Sequence, residues 1–417
     1  MVEHFTTIII GGGQSGLSIS YFLKQAGLDH VIFEKADQPA SAWRNRWDSF
    51  TLVTPNWMLQ LPGAEYQGDH PEAFLDREEV IAYFESYIQH EHLPIRYGIQ
   101  VSSVEKAQNM FQVKTSQGEF TADNVVIAVG FYQQSKIPSF SQNCSPDIYQ
   151  IHSEQYRNPG MIPEGAVLVV GSAQSGSQIA EELNEHGREV YLSVSEAGRF
   201  PRRYRGEDAD VWMERMGYFE RTVDQLPPGQ ARFAASAHGT GKNGGHTINM
   251  HQFTRDGINL VGRIRDIQNS LVTIEPGLHD CLRKADQFEE EFVQEVDRYI
   301  EENHLSAPEE TLPHLDDGFR VEELTELRLD EAGISSIIWA TGYTYDFSWV
   351  RCSVLDDDGL PVNDWGVTPC PGLYFIGMPF LHSGKSGLIY GCAEDTAHIA
   401  KAIVKNSEIM MDAVSRR

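Results

Sequence analysis

Two glycine-rich turns carry the clearest chemistry in the sequence. Gly11-x-Gly13-x-x-Gly16, with Gln14 and Ser15 inside it, stands between the apolar run TTIII and the periodic segment LSISYFLKQAG. Gly171-Ser172-Ala173-Gln174-Ser175-Gly176 stands in the same way between AVLVV and SQIAEELNEHG. Glycines at this spacing allow a tight strand-to-helix turn and let the backbone approach a pyrophosphate at the helix N-terminus. In the second turn Ala173 replaces the middle glycine, a small change that still permits a fairly close approach. Glu34 ends the strand after the first helix, 18 residues beyond Gly16, where a carboxylate can accept hydrogen bonds from ribose hydroxyls; Lys35 follows it. The corresponding second strand ends in Ser193-Val194-Ser195, with no acid before Glu196.

An acid at that position would repel a ribose 2′-phosphate, whereas Ser195 and the arginines Arg199, Arg202, Arg203 and Arg205 would attract one. Arg202 and Arg203 are the expected phosphate readers, so NADPH is expected over NADH. The competing reading is an arginine loop paired with nearby Glu207 and Asp208. Two dinucleotide folds in one chain imply electron transfer between two dinucleotides, and the first is then most naturally FAD. The strand endings VIAVG and IIWATG, with Gly130, Thr341 and Gly342, would bring backbone against these cofactors. A third glycine-rich turn, PFLHSGKS from Pro379 to Ser386, departs from the triphosphate-binding pattern GxxxxGK[ST] by one residue, Pro379. Pro379 removes a backbone donor that a triphosphate cradle would need.

The elements that must position these residues follow one plan twice. Each unit reads strand, glycine turn, helix, strand, and each helix ends at a glycine, Gly27 or Gly187. The stretch from Ile99 to Gly130 alternates like a small antiparallel meander that closes on the strand NVVIAVG. Residues 280 to 303 read as a surface helix, with Ala285, Phe288, Phe292, Val296 and Ile300 on one face and Glu289, Glu290, Glu295 and Glu301 in solvent opposite. The glycine-rich stretch 227 to 253 reads as a long loop or lid and as the expected source of substrate selection.

Size and charge narrow the remaining classes. A chain of 417 residues exceeds one ordinary core and suggests two or three domains. With 33 basic and 60 acidic side chains the formal charge is -27, which repels nucleic acids and anionic membrane surfaces. No apolar run is long enough to span a bilayer, and the N-terminus lacks the basic and apolar regions of a signal peptide, so a cytoplasmic location is expected. The five cysteines form no CxxC pair, and no Cys/His cluster has zinc-ligand spacing, so no metal is expected.

Over nearly its whole length the sequence resembles the two-dinucleotide-domain flavoproteins, and within them the single-component flavin-containing monooxygenases. The residues that carry the resemblance are GGGQSG with Glu34, Trp43-Arg44, GSAQSG, HSEQY from His152 to Tyr156, and ATGY from Ala340 to Tyr343. The stretches RWDSFTLVTPNWMLQLPG, PRRYRGED and GTGKNGGHTIN are similar to a bacterial flavin-dependent oxidoreductase subgroup often encoded beside a nitrilase. The family fingerprint FxGxxxHxxx[YFW] is only partly kept, because Pro146 and Ile148 occupy its Phe and Gly places while His152 and Tyr156 remain.

This resemblance implies an α/β fold with two Rossmann-like dinucleotide-binding domains, the NADP domain inserted into the FAD domain. The expected boundaries are 1–157 and 326–417 for the FAD domain and 158–325 for the NADPH domain. Trp43, Arg44, Val101, Met378, Gly387 and Leu388 join the glycine turns as cofactor-binding residues, and the SGKSG turn becomes the seat of the flavin pyrimidine. Asn56 is implied as a donor to the oxygen adduct, and His152 as a residue that orients the interdomain linker or bound NADP. The implied activity is an NADPH-dependent monooxygenase that forms a C4a-(hydro)peroxyflavin and oxygenates a nitrogen or sulfur of a small nucleophile. Dioxygen and that substrate are its partners, with a homodimer left open. A flavin reductase or oxidase without oxygen insertion, and a flavin-binding sensor, are the alternatives.

Overall fold

The computed structural model describes residues 2–226 and 238–415. The N-terminal run folds as the strand Glu3–Ile10, whose inner residues Ile8, Ile9 and Ile10 are buried. It pairs in parallel with His30–Phe33 on one side and with Gly118–Ile127 on the other. Uninterrupted apolar runs of this kind suit a parallel sheet covered on both faces. The expected meander is present, since Val101–Ala107, Met110–Thr115 and Gly118–Ile127 pair antiparallel. Where that pairing ends at Ala122, Leu373–Phe375 takes its place beside Val125 to Ile127. The C-terminal segment thereby completes the first sheet. The helix Cys392–Ser415 packs on the first glycine-turn helix, Gln14–Gln25, with Cys392 Sγ 3.1 Å from Ser18 Oγ.

A second sheet of five strands runs in the order Tyr149–His152, Ile334–Trp339, Ala166–Val170, Val190–Ser193, Asn259–Val261, and every pair is parallel. The second unit is inserted into the first as expected. Its sheet, however, recruits Tyr149–His152 and Ile334–Trp339, so it reaches past both expected boundaries, 157/158 and 325/326. The reason lies in the pairing: Ile334–Trp339 needs a parallel partner on each edge, and Ala166–Val170 and Tyr149–His152 supply them.

The helix Leu278–Glu302 buries Leu282, Ala285, Phe292, Val296 and Ile300 as its period requires. Its acidic side is not wholly solvated. Glu289 pairs with Arg199, and Glu295 accepts from the Tyr218 hydroxyl. Of the segment 227 to 253, residues 227–237 lie outside the described residues. The rest holds a turn around Lys242–Gly244 and the helix Met250–Arg255.

Candidate functional site

The first cradle is built as its glycines require. A Cβ on Gly16 would lie 1.9 Å from the Gly11 carbonyl oxygen, and one on Gly11 would lie 2.6 Å from the carbonyl oxygen of Ala128. Nothing lies within 4 Å of the corresponding position on Gly13, so that side of the turn is open. Among the described residues the amides of Gln14, Ser15 and Gly16 head the helix without a protein acceptor, as expected of a helix N-terminus that takes an anion. Glu34 is buried at the end of its strand and accepts from the amides of Gly12 at 2.7 Å and Ala36 at 2.9 Å. Each carboxylate oxygen keeps a free lone pair for a ribose hydroxyl. Lys35 beside it is exposed, and the amide of Ile99, just ahead of Val101, donates to the Glu34 backbone. These residues fit FAD.

The third glycine turn is joined to this cradle by one bond, from Gln14 Nε2 to the Gly387 carbonyl at 2.7 Å. Residues 383–391 are turns and bends, and the last helix begins at Cys392. The Leu388 amide is used inside the turn by the Lys385 carbonyl, and Met378 is buried beneath it. Lys385 is held between Glu220 and Glu394. Burial alone would lower its pKa, but the two carboxylates outweigh it and raise the value. The segment Tyr218–Arg221, from the inserted unit, closes over this turn through Gly384 N to Arg221 O and Lys385 N to Phe219 O.

The second cradle repeats the first. A Cβ on Gly176 would lie 1.8 Å from the Gly171 oxygen, and among the described residues the amides of Gln174, Ser175 and Gly176 have no protein acceptor. Ser172 bridges to the end of the next strand, where its Oγ accepts from Ser195 N at 3.0 Å. Ser195, Arg199 and His238 line a small pocket there. Arg199 Nε and His238 Nε2 are buried in it without a partner. Arg199 Nε is thus an unused donor near the carboxyl end of this strand.

The arginine island needs correction. Arg202, expected to read the phosphate, is 4% exposed and bound to Asp208 and Asp210. Its Nη1 donates to the Val53 carbonyl at 2.8 Å, so four of its five N–H donors are already engaged within the protein. Arg203 donates to the carbonyls of Gly244 and Gly245, and Arg205 pairs with Asp297. Arg199 pairs with Asp286 and Glu289 yet keeps Nε free. The pairing suspected within the loop is the dominant one for Arg202.

Asn56 and His152 are also occupied. Asn56, 2% exposed, donates through Nδ2 to the His70 carbonyl at 3.0 Å and accepts from Leu75 N at 2.8 Å, so it clamps the loop that follows it. His152 accepts at Nδ1 from Glu154 N at 3.1 Å, which leaves Nε2 protonated to donate to the Gly342 carbonyl at 3.0 Å. Burial lowers its pKa, so the ring is a neutral staple between linker strand and ATGY turn. Thr341 donates to the Lys136 carbonyl. Gly130 and Gly342 take positive φ, and nothing lies within 4 Å of a Cβ at either. Trp43 packs on Phe50 and Phe84, while Arg44 pairs with Glu85.

Sequence reasoning missed two groupings. Trp365 is stacked between His382 and His398, with centroids 3.7 and 4.0 Å away, and its indole donates to Asp395. Cys352 and Cys370 also meet, although they are 18 residues apart.

Sheets, cradles and joining bond define a flavoprotein oxidoreductase with two dinucleotide-binding domains. Residues 8–214 match the family model described as pyridine nucleotide-disulphide oxidoreductase. The "uncharacterized oxidoreductase CzcO-like" of Geobacillus kaustophilus is 31% identical over 408 residues, covering 97% of this chain and 100% of the relative. The "probable indole-3-pyruvate monooxygenase YUCCA3" of Arabidopsis thaliana is 28% identical over 204 residues, 46% of each chain. Among solved structures, the flavin-containing monooxygenase from Stenotrophomonas maltophilia aligns with a TM-score of 0.66 at 19% identity, covering 97% of this chain and 99% of that one. The chain belongs to the CzcO-like oxidoreductases, FAD- and pyridine-nucleotide-dependent flavoproteins of the flavin-monooxygenase type. No helix among the described residues is long and apolar enough to cross a membrane.

Proposed function

We propose that the protein is an NADPH-dependent flavin monooxygenase that transfers one oxygen atom of dioxygen to a nitrogen or sulfur of a small soft nucleophile. The observation that carries this reading is the pairing of two pyrophosphate cradles with cysteines unsuited to redox work. Burial pushes the Cys392 thiol, beside the first cradle helix, up to about 12. Cys352, at the edge strand Val350–Arg351, is likewise pushed up to about 11, first by burial and then by Cys370. A disulfide-reducing cycle needs a thiolate, and burial disfavours that form at both thiols.

Bound FAD supplies hydride acceptance and oxygen activation. The chain's part is to bind, orient and exclude water. The amides of Gln14 to Gly16 would hold the FAD pyrophosphate and Glu34 the adjoining ribose, while those of Gln174 to Gly176 would hold the pyrophosphate of NADPH. Arg199 Nε would take the 2′-phosphate once the small pocket around it widens, replacing Arg202 and Arg203 in that role. Tyr218–Arg221 would shield the flavin turn from solvent.

Turnover under isotopically labelled dioxygen tests the reading, with NADPH and a panel of amines and thioethers. One labelled oxygen atom in the product is expected. Consumption of NADPH balanced entirely by hydrogen peroxide, with no labelled product from any member of the panel, would turn the assignment to an oxidase.

A further inference from the structure

The helix Gln174–Glu185 presents four polar residues in one stripe, Gln174, Gln178, Glu181 and Glu185, at the spacing that places side chains on one helix face. All four grip a single segment, Gly239–His246. Gln174 exchanges bonds with both backbone groups of Gly239, and Gln178 Nε2 donates to Thr240 Oγ1 at 3.1 Å. Glu181 pairs with His246 at 2.7 Å and Glu185 with Lys242. The segment is closed on itself by an antiparallel bridge between Thr240 and His246.

Its other side lies on the FAD domain. A Cβ on Gly241 would stand 2.1 Å from the Leu52 carbonyl oxygen and 2.5 Å from Phe74 Cβ. One on Gly245 would stand 2.8 Å from the Phe74 ring. Only glycine permits backbone to lie this close. Arg202 runs through the middle: its amide donates to Thr247 Oγ1 at 2.9 Å, its guanidinium lies 4.8 Å from the Phe74 ring centre, and Nη1 reaches Val53 O. Asp208 and Asp210 fix the fork on its far side. The same helix is tied to the FAD domain once more, by Glu182, which accepts from Ser49 at 2.6 Å and from Tyr156 at 2.7 Å.

We propose that Gly239–Thr247 is a strap, with Arg202 as its pin, that holds the pyridine-nucleotide helix in one orientation against the FAD domain, and that Arg202 and Gly241 are therefore positioning residues for hydride delivery. The proposal rests on the reading that NADPH reduces the bound flavin. A hydride donor displaced by about 1 Å loses on the order of a hundredfold in rate, so loosening the strap slows flavin reduction while the reaction of reduced flavin with oxygen, which needs no nucleotide domain, is untouched.

The test compares Gly241→Ala, Arg202→Lys and the milder Thr240→Val with wild type in anaerobic stopped flow. Flavin reduction by NADPH is measured first, then reoxidation by dioxygen after reduction with dithionite. Reduction is expected to slow at least tenfold in the first two variants and a few-fold in the third, with FAD content and reoxidation unchanged. Hydrogen exchange without nucleotide is expected to quicken together in 239–247 and 52–56. A purely structural role would lower FAD content and both half-reactions alike, and that result would overturn the proposal, as would unchanged reduction in Gly241→Ala and Thr240→Val. Arg202→Lys enters the comparison only if it retains FAD, because the other two variants leave the buried ion cluster intact. A wild type that NADPH does not reduce would instead remove the proposed function, and the positioning role with it.

Discussion

At the scale of single residues, the question is which polar side chains remain available. Asn56 was expected to donate to the oxygen adduct and His152 to orient the linker or bound NADP, and each ends in backbone bonds that position loops. Asn56→Ala is expected to cost about 2 kcal/mol in unfolding free energy, because two buried backbone groups lose their partner. Denaturant titration checks it. Neither residue's partners could be read from the sequence, because the bonds depend on how loops fold over.

His238 differs, because burial depresses its pKa to about 4 from 6.5 and its Nε2 has no partner. The unfolded chain then takes up the proton first as pH falls. The stability of the neutral ring is complete above 6.5 and is lost progressively as pH falls towards about 4. Asp210, raised to about 6 by burial and by Asp208 against Arg202, acts with the opposite sign in part of that window. Comparing His238→Gln with wild type isolates the histidine. Across that range the wild type is expected to lose about 3 kcal/mol more than the variant. Parallel pH profiles would show that the ring is solvated or partnered.

At the scale of elements, the glycine turns were legible because glycine spacing reports backbone geometry directly. Gly11, Gly16, Gly171 and Gly176 are required by contacts shorter than any Cβ allows. The arginine island was legible only as charge. Arg202 has partners six and eight residues ahead, which sequence alone could have offered, but those of Arg199 lie on the helix Leu278–Glu302, far along the chain. Reassigning the phosphate to Arg199 has a kinetic consequence. Arg199→Leu is expected to raise the KM for NADPH about tenfold and to leave that for NADH nearly unchanged, whereas Arg203→Ala changes neither. Steady-state kinetics with both nucleotides decides the matter, and equal losses would contradict the assignment.

At the scale of the whole molecule, two βαβ units of one plan were visible in the sequence, and the insertion of one into the other was implied by the family resemblance. The boundaries were not, because Tyr149–His152 and Ile334–Trp339 carry the period of any buried strand and only their pairing says which sheet they join. The Gly239–Thr247 strap was also invisible, since its glycines look like a mobile loop until Leu52 and Phe74 are found against them. The formal charge of -27 is consistent with a molecule that takes small ligands rather than polyanions.

The most direct test of the account is anaerobic mixing of the FAD-loaded protein with one equivalent of NADPH, following the flavin absorbance. The account predicts complete bleaching of the oxidised flavin, faster with NADPH than with NADH. A flavin that stays oxidised with both nucleotides, in protein that dithionite bleaches normally, would contradict it.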